Sequence, residues 1–428
     1  MVVRRVKGTF DLLPESLSTD KGFAASYWRH LEDLIHSLAC HWGYEEVRTP
    51  ILEAIELFQK TSGESSDVCM KQMYSFADKG GREIVLRPEG TPPVLRALGE
   101  GSCFSHGSAF RKRHDVYYLG PMFRYERPQS GRYRQFTQFG VETIGPDQSQ
   151  VDSELVAMGA AFLEELKISY CVVINSLGTP EEICAYRKAL IHYLMPFEES
   201  LSEDSRRRLA SNPLRILDSK DKKDQELIEG APFITESLGK SSLDRFEKVQ
   251  AALRSMDIPF RVEPKLVRGL DYYNNIAFEY VVCEEEEQPS LGGGGRYNHL
   301  VSSMGYPDLP GVGFAFGLER VMQAALKKGF GTPTTSCDVL FISLLEETEP
   351  ICFQLASQLR KRGIRLKTRF SEKSLGHALK ECDVVGASWI LIYGKQEQEK
   401  GVLQLKNAKN RFSQTVPIDV EAIFDSLQ

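Results

Sequence analysis

The sequence predicts an α+β body with a helical insertion, followed by a smaller α/β module. Three observations carry that reading. Residues 120–145, GPMFRYERPQSGRYRQFTQFGVETIG, read as two strands joined by a polar, arginine-bearing loop. From about residue 179 to 259 the chain turns charged and helical in periodicity, as an inserted or linking module would. Beyond about 337 it alternates strand CDVLFISL, helix ICFQLASQLRKRG, strand IRLKTRF, helix SLGHALKECDVVG, strand SWILIYG and a final strand pair around VLQLKN. Such alternation predicts a small, mostly parallel sheet with helices on its faces.

Composition sets the frame. With 428 residues, 42% hydrophobic and 26% charged, the chain has material for two or three domains. No stretch is apolar enough to span a bilayer, and MVVRRVKGTFDLLPE lacks the apolar run of a secretion signal, so a cytoplasmic location is expected. Nine cysteines without a CxxC pair and eight histidines without zinc spacing predict reduced thiols and no structural zinc. The formal charge is −6, so a nucleic-acid partner would have to be met by local basic patches.

Taken in order, residues 26–42 carry Tyr27, Leu31, Leu34, Ile35, Leu38 and Trp42 at spacings of three and four, as on a buried helix face that Gly43 ends. YEEVRTPILE reads as a strand interrupted at Pro50, which confines it to an edge, a bulge or an interface. REIVLRPEGT, residues 82–91, reads as a strand ending in a proline turn. Glu89 and Thr91 project from it, a carboxylate and a hydroxyl able to hold an ammonium group, although such residues are more often turn formers alone. The basic run at 111–113 would meet phosphates or simply face water.

In the strand pair, alternation puts Met122, Arg124 and Glu126 on one face of the first strand. Arg134, Phe136, Gln138, Gly140 and Glu142 share one face of the second. A solvated hairpin face needs neither the ring at 136 nor the glycine at 140, whereas a ligand floor beside a phosphate would use both; spacing leaves the choice open. A helix over about 149–166 and a strand YCVVINSLG follow. KLVRGLDYYNNIAFEYVVCEEEEQ contains a β-rich run at 277–283, then an acidic loop at 284–287. The glycines 292–295, with Arg296 and Tyr297 behind them, allow either close backbone approach or a mobile loop. Neither a P-loop nor a Rossmann glycine pattern is present. In GLERVMQAALKK, Arg320 sits in the first turn of a helix, where a cation is unfavourable unless an anion or a carboxylate lies nearby. Residues 329–336 have linker composition. Arg360, Lys361, Arg362, Arg365, Lys367 and Arg369 form the best phosphate-backbone surface in the C-terminal module.

Taken together, FRYERPQSGRYRQF, VRGLDYYNNIAFE, GGGGRYNHLV and GVGFAFGLERV, in that order, resemble the class II histidyl-tRNA synthetase family. KGTFDLLP, LRPEGTPPVLRA and the C-terminal module are similar to that family as well, so the resemblance spans essentially the whole chain. It implies a catalytic domain over 1–330, a mainly antiparallel sheet flanked by helices with an insertion at about 179–259, and an α/β anticodon-binding domain over 331–428. The activity implied is ATP- and Mg²⁺-dependent attachment of histidine to histidine tRNA through an adenylate, by a homodimer formed through the region around Pro50.

Residue by residue, Arg124 resembles the arginine that grips the ATP α-phosphate and the amino-acid carboxylate, and Arg268 the second catalytic arginine on the opposite side. Glu126 matches the acid that reads the adenine amino group, Phe136 the ring beneath adenine, and Arg320 the arginine over its other face and at the γ-phosphate. Glu89, Thr91 and Gln138 match positions that hold the α-amino group. Glu142 and Tyr273 match those at the imidazole, with Tyr272 and Arg268 in the same pocket. Gln129 and Arg132 would meet the tRNA acceptor end, and no metal is held by protein ligands alone. Asn275, Ala277, Asn298 and His299 depart from the family pattern and are expected to alter packing around the histidine pocket. A competing resemblance is the non-catalytic regulatory subunit of ATP phosphoribosyltransferase, which lacks the C-terminal module. A synthetase-like sensor of uncharged tRNA is a further rival, opposed by the absence of a kinase-like segment.

Overall fold

The computed structural model describes the chain apart from residues 1, 63–71, 102, 105–112, 128–130, 269, 284–288, 332–336, 346–349, 371–375, 377–385, 409, 411 and 428. The three-and-four apolar spacing near the start yields helix α1, Ala25–His41, which buries Leu31, Ile35 and Leu38. Gly43 ends it with φ +80°, a left-handed turn suited to glycine. Strands β1, Glu45–Glu46, and β2, Leu52–Ala54, lie either side of Pro50, as expected of a proline-broken segment. Helix α2, Ile55–Ser62, follows, and β2 joins β3, Tyr74–Ala77, and β4, Glu83–Leu86, in a three-stranded antiparallel sheet of order β2-β4-β3. Thr91 does not project from an isolated turn; it is the first residue of helix α3, Thr91–Glu100.

The expected hairpin is present, but its first strand starts earlier and stops sooner. Strand β5, His114–Phe123, pairs antiparallel with β6, Gln135–Ile144, so Arg124 and Glu126 stand beyond the strand end. The register sets Met122 against Phe136, Gly120 against Gln138 and Val116 against Glu142. Helix α4, Ser149–Glu165, and strand β7, Tyr170–Gly178, come next. The charged stretch then folds into α5, Pro180–Leu194, α6, Glu203–Ser211, α7, Lys222–Ile228, and α8, Lys240–Ser255. Leu190, Leu194, Leu209, Ile216 and Ile228 give this module a core of its own. Its last helix is tied to α4 by Arg245, which donates to Asp152 at 2.9 Å.

Strands β8, Phe260–Val262, β9, Asn274–Val282, β10, Ser290–Arg296, and β11, Gly311–Gly317, complete an eight-stranded sheet of order β1-β5-β6-β11-β10-β9-β7-β8. Only its outermost pairs, β1 with β5 and β7 with β8, are parallel. The glycines 292–295 are therefore a central strand and not a loop. A methyl at Gly292 would come within 2.5 Å of the Ala315 carbonyl, and one at Gly295 within 2.5 Å of that of Ile276. Neighbouring backbone fills the space that side chains would need. One sheet face packs Phe139, Phe314 and Phe316 around Phe162 of α4, with ring centroids of Phe139 and Phe162 5.3 Å apart. Short helices follow at α9, Leu300–Ser303, and α10, Leu318–Lys327. The acidic loop expected at 284–287 lies outside the described residues.

Contact density separates the chain into two compact units, Met1–Asp11 with Trp28–Phe330, and Leu12–Tyr27 with Gly331–Gln428. The second contains β12, Val339–Ser343, α11, Pro350–Lys361, β13, Leu366–Phe370, β14, Trp389–Tyr393, β15, Val402–Asn407, and β16, Ser413–Pro417. The sheet order is β13-β12-β14-β15-β16. Its first three strands are parallel and its last two antiparallel, so it is mixed where a mostly parallel sheet was expected. The connection from β14 to β15 holds one short helix, Lys395–Lys400, and turns at Gly401 with φ +65°, too short for a parallel crossover. The helix expected over SLGHALKECDVVG falls mostly outside the described residues. Within the basic cluster, Arg365 pairs with Asp338 at 2.5 Å and Arg362 pairs with Glu421, which reduces the charge this surface offers.

Candidate active site

The hairpin face opposite the aromatic core is the floor of a polar site. At one end Glu142, 1% exposed, accepts a hydrogen bond from the Thr91 hydroxyl at 2.6 Å and another from the Tyr297 hydroxyl. Burial pushes its carboxyl up to about 8, against the lowering effect of those two hydroxyls and with help from the charge of Glu89. Gly313 faces Glu142 across the β6–β11 pair, and a methyl there would overlap the carboxylate. Glu89, also buried, accepts from the Tyr272 hydroxyl at 2.9 Å. The Tyr272 and Tyr273 rings lie 4.6 Å apart, and Tyr273 packs over Gly295, where a methyl would approach the ring to 2.7 Å. Gly140 has its reason too: together with Gly90 it makes room for the buried ring of Tyr118. Beside it, Gln138 holds a buried Oε1 with no hydrogen-bond partner among the described residues, an acceptor suited to a ligand N–H.

Guanidinium groups gather at the other end. Arg124 donates to the Pro88 carbonyl at 2.9 Å and lies 5.2 Å from the centre of the Phe136 ring. Arg320 donates to the carbonyls of Ser290 at 2.8 Å and Gly131 at 3.2 Å. Its pKa is lowered by burial first and by the neighbouring charges of Arg132 and Arg124, with Glu126 and Glu279 opposing. The first-turn arginine thus meets carboxylates only in part and sits among like charges, a setting that a polyanion would relieve. Arg132 reaches Glu126 at 3.7 Å. Arg268 forms an ion pair with Glu279 of β9 and lies over Gly293, while its buried Nε has no partner among the described residues. The adjacent Glu319 accepts from the Thr137 N–H at 2.7 Å, fastening α10 to β6; burial pushes its carboxyl to about 7.

Of the residues named from sequence, the structure brings Glu89, Thr91, Gln138, Glu142, Tyr272 and Tyr273 to one end and Arg124, Glu126, Arg132, Phe136 and Arg320 towards the other. Gln129 lies outside the described residues. Sequence reading missed Tyr297, Tyr118, Gly313 and Glu279. Only Glu279 carried a signal, as a charge within an otherwise apolar strand pattern. Of the departures, Asn275, Asn298 and His299 line a cavity of about 320 Å³, and Ala277 joins the insertion core against which Tyr273 also packs. Asn275 holds φ +50° at a bulge, a conformation asparagine tolerates better than most residues. Arg113 pairs with Asp115 at 2.8 Å and Glu154 at 2.9 Å, while the other two residues of its basic run lie outside the described residues.

Known proteins resemble this chain over nearly its whole length. The family model described as histidyl-tRNA synthetase matches residues 10–321, and the one described as anticodon binding domain matches residues 338–426. The chain is 40% identical over 415 residues to histidine--tRNA ligase of Protochlamydia amoebophila, covering 96% of each. It is 41% identical over 427 residues to that of Limosilactobacillus fermentum, covering 98% of this chain and 96% of the relative. A crystal structure of apo histidyl-tRNA synthetase from S. aureus superposes with a TM-score of 0.81 at 32% identity, covering 99% of both chains. With a family match over most of its length and full-length relatives at this identity, the chain belongs to the histidyl-tRNA synthetase family.

Proposed function

We propose that this chain attaches L-histidine to histidine tRNA, using ATP to form a histidyl-adenylate first. The observation that carries the proposal is the polarity of the floor, with buried carboxylates and phenols at one end and guanidinium groups at the other. In this reading Glu142 and Tyr273 meet the imidazole. A neutral imidazole offers one donor and one acceptor, and a carboxylate with a phenol satisfies both while leaving poorer side chains unpaired. Tyr297 and Thr91 hold Glu142 in place, and Thr91 shares the α-amino group with Glu89 and Gln138. Tyr272 steadies Glu89.

Arg124 and Arg268 draw the histidine carboxylate and the α-phosphate together from opposite sides. A carboxylate oxygen then bonds to the α-phosphorus as the bond to pyrophosphate breaks. Such a transfer needs positioning and charge neutralisation more than covalent help, and an arginine fork matches two oxygens at once. Phe136 and Arg320 enclose adenine, Glu126 reads its amino group, and Arg320 also reaches the γ-phosphate. Mg²⁺ enters with ATP and would take up part of the charge of the leaving pyrophosphate. The terminal ribose hydroxyl of the tRNA next attacks the acyl carbon, and AMP departs with its phosphate taking up the hydroxyl proton, with Arg132 near the acceptor end.

The catalytic part is assigned to residues 1–330, with the insertion at about 179–259, and the anticodon-binding part to 331–428. A cytoplasmic homodimer is the expected form. Exposed Ile51, Leu52 and Phe76, around the broken strand, give a second copy an apolar surface, and light scattering would read twice the chain mass. The anticodon-domain match weighs against the regulatory-subunit reading. Histidine-dependent exchange of pyrophosphate into ATP, followed by charging of histidine tRNA, tests the function. Absence of exchange with pure protein, ATP, Mg²⁺ and histidine would overturn it.

A further inference from the structure

The helical module at 179–259 offered no chemistry in its sequence, yet it touches the site. Asn212, between α6 and the 3₁₀ turn Pro213–Ile216, is 5% exposed and donates from Nδ2 to a carboxylate oxygen of Asp271 at 2.6 Å. The other end of that amide, Oδ1, is buried with no partner among the described residues, so Asp271 is what fixes its orientation. Asp271 directly precedes Tyr272 and Tyr273. Val267 and Tyr273 also pack against the module's apolar core, beside Leu177, Ile216 and Ile234. Between them lies Arg268, whose charge is disfavoured by burial but upheld by Glu279, the two tyrosines and, from the module, Asp218.

We infer that the helical module positions Arg268 and the Tyr272–Tyr273 pair for histidine activation, through the Asn212–Asp271 hydrogen bond and the packing of Val267 and Tyr273 on its core. Asn212 and Asp271 are positioning residues, acting on groups that meet the substrate. Loss of the bond lets the tyrosine pair and the arginine drift from the hairpin floor. Displacements of about 1 Å at such a site cost about a hundredfold in rate. The inference rests on the histidine-activation reading, and its test separates the two. If the wild-type chain shows no histidine-dependent pyrophosphate exchange, the functional reading fails and takes this inference with it.

Given exchange by the wild type, a double-mutant cycle of Asn212→Ala, Asp271→Ala and the pair decides. Each single variant should lower kcat/KM for histidine about ten- to a hundredfold, with the double no worse than the poorer single. Asp271→Asn, whose Oδ1 still accepts from Asn212, should stay within a few-fold of wild type and guards against a fold-only effect. Thermal melting of the same variants is read alongside. A coupling present in melting but absent from kcat/KM, additive losses in kcat/KM, single variants indistinguishable from wild type, or Asp271→Asn as damaged as Asp271→Ala would each overturn the inference.

Discussion

Burial raises the Glu142 carboxyl from 4.5 to about 8 in the ligand-free chain, while the Thr91 and Tyr297 hydroxyls pull the other way. The folded chain therefore keeps a proton that the unfolded chain gives up. Stability from this group is complete below about 4.5 and is lost as pH rises through about 8. Across that interval the Tm of Glu142→Gln should fall less with pH than that of wild type; parallel curves would place the proton elsewhere. The position of Glu142 on the polar face could be read from strand alternation alone. Its partners could not. Tyr297 follows a distant glycine run and Gly313 sits on another strand, so only the pairing of β6 with β11 brings them together.

Between elements, buried charges join α4, α8 and the end of β10. Arg296 and Asp152 are both fully buried and meet at 2.5 Å, and Asp152 also holds Arg245 of α8 at 2.9 Å. Removing the shared acid leaves the buried Arg296 guanidinium to the more distant, half-exposed Asp147 at 3.4 Å, so Asp152→Ala should cost about 3–5 kcal/mol in urea unfolding. A loss well under that would mean that Asp147 or water takes over the pairing of Arg296. Helix α1 was legible because its apolar residues repeat at helical spacing and a glycine closes it. Strand β10 was not legible, since four glycines carry no alternation to separate a strand from a loop. What identifies it as a strand is contact with β9 and β11, a relation between segments that no local window contains.

For the whole molecule, a net charge of −6 means that no general field draws in tRNA. Lys361 and Lys367 are exposed in the C-terminal unit, where Arg362 and Arg365 are paired. Contact through such local patches is salt-sensitive. Between low and physiological salt the KM for tRNA should rise about tenfold or more, while the KM for histidine in pyrophosphate exchange changes little. Equal salt response of the two would argue against a basic tRNA surface. The two-part architecture was readable from the change to strand–helix alternation beyond residue 337. The mixed sheet of the second unit was not, because strand direction there depends on the length of one connection. Strand β10, finally, has a genetic consequence. Every amino-acid replacement at residues 292–295 adds a side chain, and the backbone carbonyls of Ala315, Phe278, Gly313 and Ile276 stand where it would go. In a saturation-mutagenesis selection for growth, these four adjacent codons should accept synonymous changes alone, a gap in the spectrum of survivors; frequent alanine there would show that the sheet can part.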